Sequence, residues 1–354
     1  MLLLDRYIAK AIMQAVGIVM ILMMGVVALL SMLTELKNVG HGDYRLMQLF
    51  AYVVMRLPSE LYHFSPMIIL LGTIGGLMLL TRSNELVVMR ASGFSSYRIT
   101  QSVVVAAFLM ISIIAVIGET VGPKLSLMAV MQKENARNAG HAIVTGSGVW
   151  FHVDGDFIHA DQVISKEFLL GITRYEFNKQ RQLQAVYAAD KLILNKAGWQ
   201  LKNVKQTSFF PDRTSSESIA TLPWRVKLNT DLFNDIIEPS EMSLQKLAHF
   251  SNYLKENGLQ ASSYEYAFWQ RILQPFVGLM MVLIAIPFAF NASYRNQYGV
   301  QMVSGVLLGI SFFIADAFLE QVCIVYQLPA LSAALLPLII LGVIGYYFSR
   351  KVFK

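Results

Sequence analysis

A single cysteine, Cys323, leaves the chain with no intrachain disulfide, and the residue reads as a small apolar packing group. Charge is scarce as well: Asp, Glu, Lys and Arg make up 15% of 354 residues, against about 25% in soluble domains. Hydrophobic residues make up 55%, so a wholly soluble fold is excluded in favour of a polytopic membrane protein carrying one soluble domain. Catalytic signatures are missing too. No glycine is followed by lysine, which removes the Walker A loop, and there is no H-E-x-x-H, C-x-x-C or G-x-S-x-G. The six histidines are scattered; His152 and His159 flank an Asp154-Gly155 turn and read as surface imidazoles on paired strands. The formal charge of +6 does not point to nucleic acid, because the basic residues form no stripe interleaved with aromatics. Enzyme status has no support, and any work the protein does is powered from elsewhere.

What is present is a set of long apolar runs. Crossing the hydrocarbon core takes about 20 predominantly apolar residues in a helix. Six segments qualify: Ala11–Leu33, Phe64–Leu80, Val103–Val121, Ile272–Phe290, Val300–Leu319 and Leu328–Phe348. The first is too long for a cleavable signal peptide and lacks an A-x-A site, so it is expected to be a retained span. The second is preceded by another fairly apolar stretch and is expected to form a longer helix hinged at Pro58; Pro275 and Pro287 predict bends in the fourth.

The basic residues set the orientation. With a cytoplasmic N-terminus, Arg6, Lys10, Arg82, Arg90, Arg98, Arg295, Arg350, Lys351 and Lys354 lie inside. The short opposite loops hold only Lys37, Arg45 and Arg56. That asymmetry places both termini in the cytoplasm and the large middle segment outside.

The middle segment, from Pro123 to Phe268, is charged and reads as strands: "GVWFHV", "DFIHADQVI", "LLGITRYEFN", "LQAVYAADKLILN" and "GWQLKNVKQTSFF". Turn signals at Asp154-Gly155, Asn178-Lys179 and Ala197-Gly198 separate them. Trp199, Leu201 and, less strictly, Val204 alternate, so one face is buried and an antiparallel sandwich or open barrel is expected. A soluble helix follows, with Ser243 as N-cap and Gly258 as its C′ residue. The expected domains are 1–122 with three spans, 123–268 as an inserted all-β domain plus helix, and 269–354 with three more spans.

Ionisable residues at the ends of spans are functional candidates, with snorkelling as the ordinary alternative. Glu35, Lys37, Arg56, Glu60, Glu119, Lys124, Arg271, Asp316 and Glu320 all fall at the outer end, and Asp316 and Glu320 share a helix face. One reading is interfacial anchoring. The other is a polar mouth for an amphipathic substrate, its anionic head meeting Lys37 and Arg271 and its tails lying against Phe64, Met67 and Leu70. Nothing ionisable sits at mid-depth, which argues against an ion-coupled relay.

The connector "RSNELVVMRASGF", Arg82–Phe94, is itself helical in pattern. Ser83 is expected as N-cap, Glu85 in the first turn, and Gly93 at the left-handed C′ position. So short a helix needs something to pack on. It either lies on the lipid surface or docks into a groove of a cytoplasmic partner.

"LDRYIAK" at Leu4–Lys10, "SNELVVMRASGF" at Ser83–Phe94 and "LPALSAALLP" at Leu328–Pro337 resemble the YjgP/YjgQ permease family over essentially the full length. The resemblance implies six transmembrane helices around an inserted periplasmic β-jellyroll in the bacterial inner membrane. It also implies that the chain exports lipopolysaccharide with a sister permease, LptF, a dimer of the ATPase LptB that uses ATP and Mg, the single helix of LptC, and the periplasmic LptA bridge; the chain itself carries no cofactor. By the same resemblance, Glu85, Leu86, Val87, Met89 and Arg90 couple to the ATPase, and the first and fifth spans form lateral gates. Lys37 matches a position that contacts lipid A phosphates, and Asn38 stands where the family has a second lysine. The rival readings are an ion-coupled secondary lipid transporter and an envelope protein that transmits force without moving a substrate.

Overall fold

The computed structural model describes residues 3–137, 142–145, 148–153, 156–165, 168–178, 180, 182–195, 198–210, 212–224, 239, 242–256, 261–290, 298–326 and 328–353. Gly258 and the Asp154-Gly155 turn lie outside the described residues, as do Lys179, Ala197, Arg295 and Lys354. The elements run α1 (Leu3–Glu35), a 3-10 turn (Leu36–Asn38), α2 (Leu46–His63), α3 (Ser65–Arg82), α4 (Glu85–Ala91), α5 (Ser96–Thr120) and α6 (Gly122–Arg137). Seven strands follow: β1 (Ala142–Thr145), β2 (Gly148–Val153), β3 (Asp156–Ser165), β4 (Phe168–Phe177), β5 (Leu183–Asn195), β6 (Gly198–Phe209) and β7 (Thr214–Trp224). The chain closes with α7 (Leu244–Glu256), α8 (Ser262–Phe290), α9 (Tyr298–Tyr326) and α10 (Ala330–Phe353). Helices α1, α3, α5, α8, α9 and α10 are long and apolar enough to cross a membrane.

Two compact units result. One comprises Met1–Leu30, Arg56–Lys124 and Pro239–Lys354; the other comprises Ser31–Met55 and Leu125–Glu238. The end of α1 and the start of α2 thus belong with the strands, and α7 belongs with the helices.

The helical unit is built around α3, which is buried along most of its length. Its glycines allow that. A Cβ on Gly72 would lie 2.6 Å from the Cα of Val16, so α1 and α3 meet backbone to backbone. Ile8, Ile12, Leu77, Leu80, Ile99 and Val103 close around this contact. By contrast α1 and α9 bury only a narrow strip of their apolar residues. Pro58 lies within α2, and a break not expected from the sequence falls at Phe64. Pro66 explains the new start, since it sits in the first turn of α3, where its missing N–H forfeits no helical bond.

The second unit holds one seven-stranded antiparallel sheet in sequence order, β1-β2-β3-β4-β5-β6-β7. It does not lie flat. Arg174 on β4 stands 5.4 Å from the ring of Trp224 on β7, whereas three strand spacings in a flat sheet amount to about 14 Å. The sheet therefore curls, and one cluster on its inner surface joins Val149, Ile158, Leu169, Leu192, Trp199, Leu201 and Trp224. Met131 of α6 packs against it. Of the sandwich or open barrel expected from the sequence, the antiparallel pairing is present, as one sheet in nearest-neighbour strand order.

The loose alternation at Val204 has a cause. The row Leu169–Leu192–Leu201 and the row Ile172–Ala189–Val204 are both buried in that cluster, although they stand three residues apart on every strand. Strict alternation would put them on opposite faces. Between them, Gly171 (φ 58) and Asn203 (φ 53) take left-handed conformations, which turn the following residues inward again. Asn203 also donates to Asp190 Oδ2 at 3.0 Å. Left-handed backbone is strained for β-branched residues and tolerated by Gly and Asn. Asn203→Val should therefore lower the stability of the β unit by about 1–3 kcal/mol, while Asn203→Gly stays close to the parent. Urea unfolding followed by tryptophan fluorescence of Trp199 and Trp224 measures both.

Candidate functional site

One end of the helical unit is formed by α4 and the start of α1 packed on it. After α3, Ser83 is the C-cap, and its hydroxyl donates back to the carbonyls of Leu79 (3.1 Å) and Leu80 (3.3 Å). The expected N-cap role of Ser83 is thereby corrected: Asn84 holds that position in a left-handed conformation (φ 61), with no side-chain capping bond. An αL residue directly after α3 breaks the helix axis, and the polar Asn tolerates that conformation. The other end follows expectation. Gly93 (φ 90) lets its own N–H reach the carbonyl of Arg90 (3.0 Å) and the Phe94 N–H reach that of Met89 (3.1 Å). This is a Schellman closure, and Phe94 packs into the core beside Met89 as such a closure favours.

Of the five residues expected to couple, the structure divides the set. Leu86 and Met89 are buried in the core with Ile8, Leu80 and Ile99, so they anchor α4 and offer no surface. Val87, Val88 and Arg90 are exposed. Glu85 lies half-buried between the two faces. Its Oε2 has no hydrogen-bond partner among the described residues, and the carboxylate interacts with the Tyr7 hydroxyl. Nearby, Asp5 of α1 accepts from Ser102 of α5 (2.9 Å) and pairs with Arg98 (3.6 Å), whose guanidinium covers Phe94.

The other candidates are divided between the two units. In the second unit Lys37 occupies the 3-10 turn and is exposed. Its neighbour Glu35 is buried and fully engaged: Lys133 Nζ lies 3.1 Å from Oε1, and the Asn38 amide donates to Oε2 at 2.7 Å. Lys133, also buried, stands 4.9 Å from the centre of the Tyr52 ring. Burial, aided by the Glu35 charge, pushes the Tyr44 hydroxyl up to about 12, so it remains protonated beside the pair.

In the helical unit Arg271 is buried and turned inward. Its Nε donates to Glu119 Oε2 (2.7 Å), Nη1 to the Met242 carbonyl (2.7 Å) and Nη2 to the Gly118 carbonyl (2.6 Å), above the ring of Tyr62. Glu119 uses its other oxygen to accept the Leu244 N–H at the start of α7 (2.7 Å), and the Leu247 N–H reaches the Ser243 carbonyl. Arg271 thus joins helices rather than facing outward, and of the two expected headgroup ligands Lys37 is the exposed one. Among the expected tail contacts, Leu70 is fully buried, Met67 packs on Gly309, and Phe64 keeps part of its surface within a ring cluster with His63 and Phe313.

The sequence reading missed the polar face of α8. Tyr266 and Gln270 both bond Asp316 on α9, and Gln274 donates to the carbonyl of Tyr62 (2.5 Å) where α2 gives way to α3. Their spacing of four residues on an otherwise apolar helix was the available signal. His159 ended against Trp150 and Asp161, and no group of three metal-ligating side chains occurs among the described residues.

Comparison with known proteins agrees with this architecture. The family described as lipopolysaccharide export system permease LptF/LptG matches residues 6–351. The lipopolysaccharide export system permease protein LptG of Escherichia coli K12 is 30% identical over 338 residues, 94% of each chain. That of Haemophilus influenzae is 29% identical over 357 residues, 98% of each chain. With the family match running almost from end to end, on six apolar helices and an inserted antiparallel sheet, the chain belongs to the lipopolysaccharide export permease LptF/LptG family.

Proposed function

We propose that this chain is the transmembrane subunit of an ATP-driven exporter that extracts lipopolysaccharide from the outer leaflet of the bacterial inner membrane and passes it to a periplasmic bridge. In this reading both termini and α4 are cytoplasmic and the β unit is periplasmic, in keeping with the excess of Arg and Lys at the α4 end. LptF is the paired permease, the LptB dimer hydrolyses ATP with Mg, and LptC and the LptA bridge receive the lipid. The open apolar faces of α1 and α9 suit contact with a second permease and with lipid.

The observation that carries the reading is the two-sided α4. Leu86 and Met89 fix it to the transmembrane core, so a push on its outer side is delivered to α1, α3 and α5. Val87, Val88 and Arg90 remain on that outer side, an apolar pair next to a cation, as suits a short helix entering a groove of an ATPase. In the second unit Lys37 offers one exposed cation to a lipid phosphate, and in the helical unit Phe64 offers an apolar contact to the tails.

Two measurements test this. Val88→Asp should cut co-purification of the ATPase by about ten-fold, equivalent to about 1.4 kcal/mol, without lowering the thermal stability of the purified chain. Leu86→Asp should instead destabilise the chain itself, and equal loss of ATPase from both with equal unfolding would sink the docking role. Lys37→Glu should reduce photocrosslinking to lipopolysaccharide by about ten-fold, the scale of losing one charge-assisted hydrogen bond of about 1.5–3 kcal/mol. Subunit assembly should be unchanged, and Lys37→Arg should restore crosslinking.

A further inference from the structure

Helix α9 is attached along a narrow seam. Val303, Leu307, Ile310, Ile314, Phe318 and Val325 are all exposed, and in lipid such residues contribute nothing to holding a helix in place. Small residues and polar bonds make the attachment. Toward its N-terminal half, a Cβ on Gly305 would come within 2.7 Å of Ile74, and one on Gly309 within 2.9 Å of Met67, so α9 lies close on α3 there. Toward its C-terminal end the contact changes character. Both carboxylate oxygens of Asp316 are taken by two α8 residues one turn apart: Tyr266 donates to Oδ1 at 3.0 Å, and Gln270 Nε2 to Oδ2 at 2.5 Å. The Tyr266 hydroxyl also lies 3.3 Å from the Asp316 carbonyl.

Tyr266 has a second task. It is fully buried, and its ring belongs to the small cluster that encloses Cys323 together with Ala330, Ala333 and Ala334. Cys323 lies two turns beyond Asp316 on the same face of α9, and its Sγ reaches the Leu328 carbonyl at 3.4 Å. Beside the bond, His63, Gln274 and Phe313 line a small cavity that Asp316 and Gln270 also border. An end that is packed mainly through alanines and held by two donors to one carboxylate can separate by exchanging those bonds, without breaking an extensive apolar core.

We propose that Asp316, gripped by Tyr266 and Gln270, is a latch that sets whether the C-terminal end of α9 lies closed on α8 or swings away from it. Asp316 is thus a positioning residue for substrate passage along α9. That role in passage rests on the transport reading above; the latch contact itself does not.

The chain reports its own latch, since Cys323 is its sole cysteine and is shielded by Tyr266. The experiment uses the full chain with its partners in native membranes and follows N-ethylmaleimide modification of the Cys323 peptide by mass spectrometry. Without ATP, the parent should label slowly, and Asp316→Ala about ten-fold faster, corresponding to about 1.4 kcal/mol. Asp316→Asn, which keeps one acceptor oxygen, should fall between. Gln270→Ala should also raise labelling, and the double variant should add little to Asp316→Ala, because both remove the same contact. Unchanged labelling in Asp316→Ala and in Gln270→Ala, or fully additive effects, overturns the latch. During ATP turnover the parent should label faster while releasing lipopolysaccharide. Release with Cys323 still protected overturns the positioning role and leaves the transport reading intact; absence of release refutes the transport reading and leaves the latch to stand on the ATP-free rates.

Discussion

The ion pair of Arg271 with Glu119 is the contact on which the rest of the helical unit depends. A buried guanidinium is tolerable only when its charge and its N–H groups are satisfied together, and removing one partner of such a pair costs about 3–5 kcal/mol. Here the acceptors come from α5 and from the segment before α7, and the Tyr62 ring lies beneath the guanidinium. The Tyr62 hydroxyl in turn donates to the Arg271 carbonyl at 2.7 Å. Once Arg271 is fixed, so is the rotation of α8 about its axis. That rotation turns Gln274 toward the carbonyls of Tyr62 and His63 at the break between α2 and α3. A helix break leaves carbonyls without helical partners, and a side-chain donor from a neighbouring helix satisfies them. One turn earlier on α8, Gln270 reaches Asp316 of α9.

Exposure has a different meaning at different depths. Leu29, Leu30 and Leu33 on α1, like Ile314 and Phe318 on α9, face hydrocarbon at no penalty, so their openness alone does not identify a partner. Val87 and Val88 lie on a connector between two spans, where the surroundings are polar. There each exposed valine forgoes burial worth about 1.5–3 kcal/mol, and their pairing on one side of a seven-residue helix weighs toward a protein groove. The inner face explains how so short a helix persists. Isolated, it would be marginal, but Leu86 and Met89 add it to a core already formed by α1, α3 and α5, and the closure at Gly93 ends it cleanly.

The sequence reading was strongest where a single physical rule decides. Six spans follow from the length of apolar runs, and the position of Gly93 follows from the need for a left-handed residue after α4. It weakened wherever two rules compete at one residue. Ser83 is a good N-cap by type, yet α3 continues through it and Asn84 makes the turn, because hydroxyls also bond back to carbonyls three and four residues earlier. Val204 breaks its alternation because Asn203 resets the facing of β6, a device visible only once Gly171 on β4 is seen in the same register. Arg271 read as a headgroup ligand because burial depends on what lies opposite, and Glu119 is 152 residues away in sequence. The family resemblance carried the overall architecture well. It could not say which side of α4 each residue occupies.

Glu35, Lys37 and Lys133 show how local geometry decides which charges remain available. Residues two apart in a helical turn point in different directions, so Glu35 and Lys37 are poor partners for one another. Glu35 turns inward to Lys133, a cation from α6, and this buried pair cancels. Lys37 remains at the surface with its positive charge uncompensated by the one acid beside it. Asn38 strengthens this outcome. A lysine there would add a second cation, whereas the asparagine amide closes the free oxygen of Glu35 and fixes the turn that presents Lys37. Lys37 is therefore an exposed cation held on a fixed turn. Lys133 and the packed rings of Tyr44 and Tyr52 set the base of that turn.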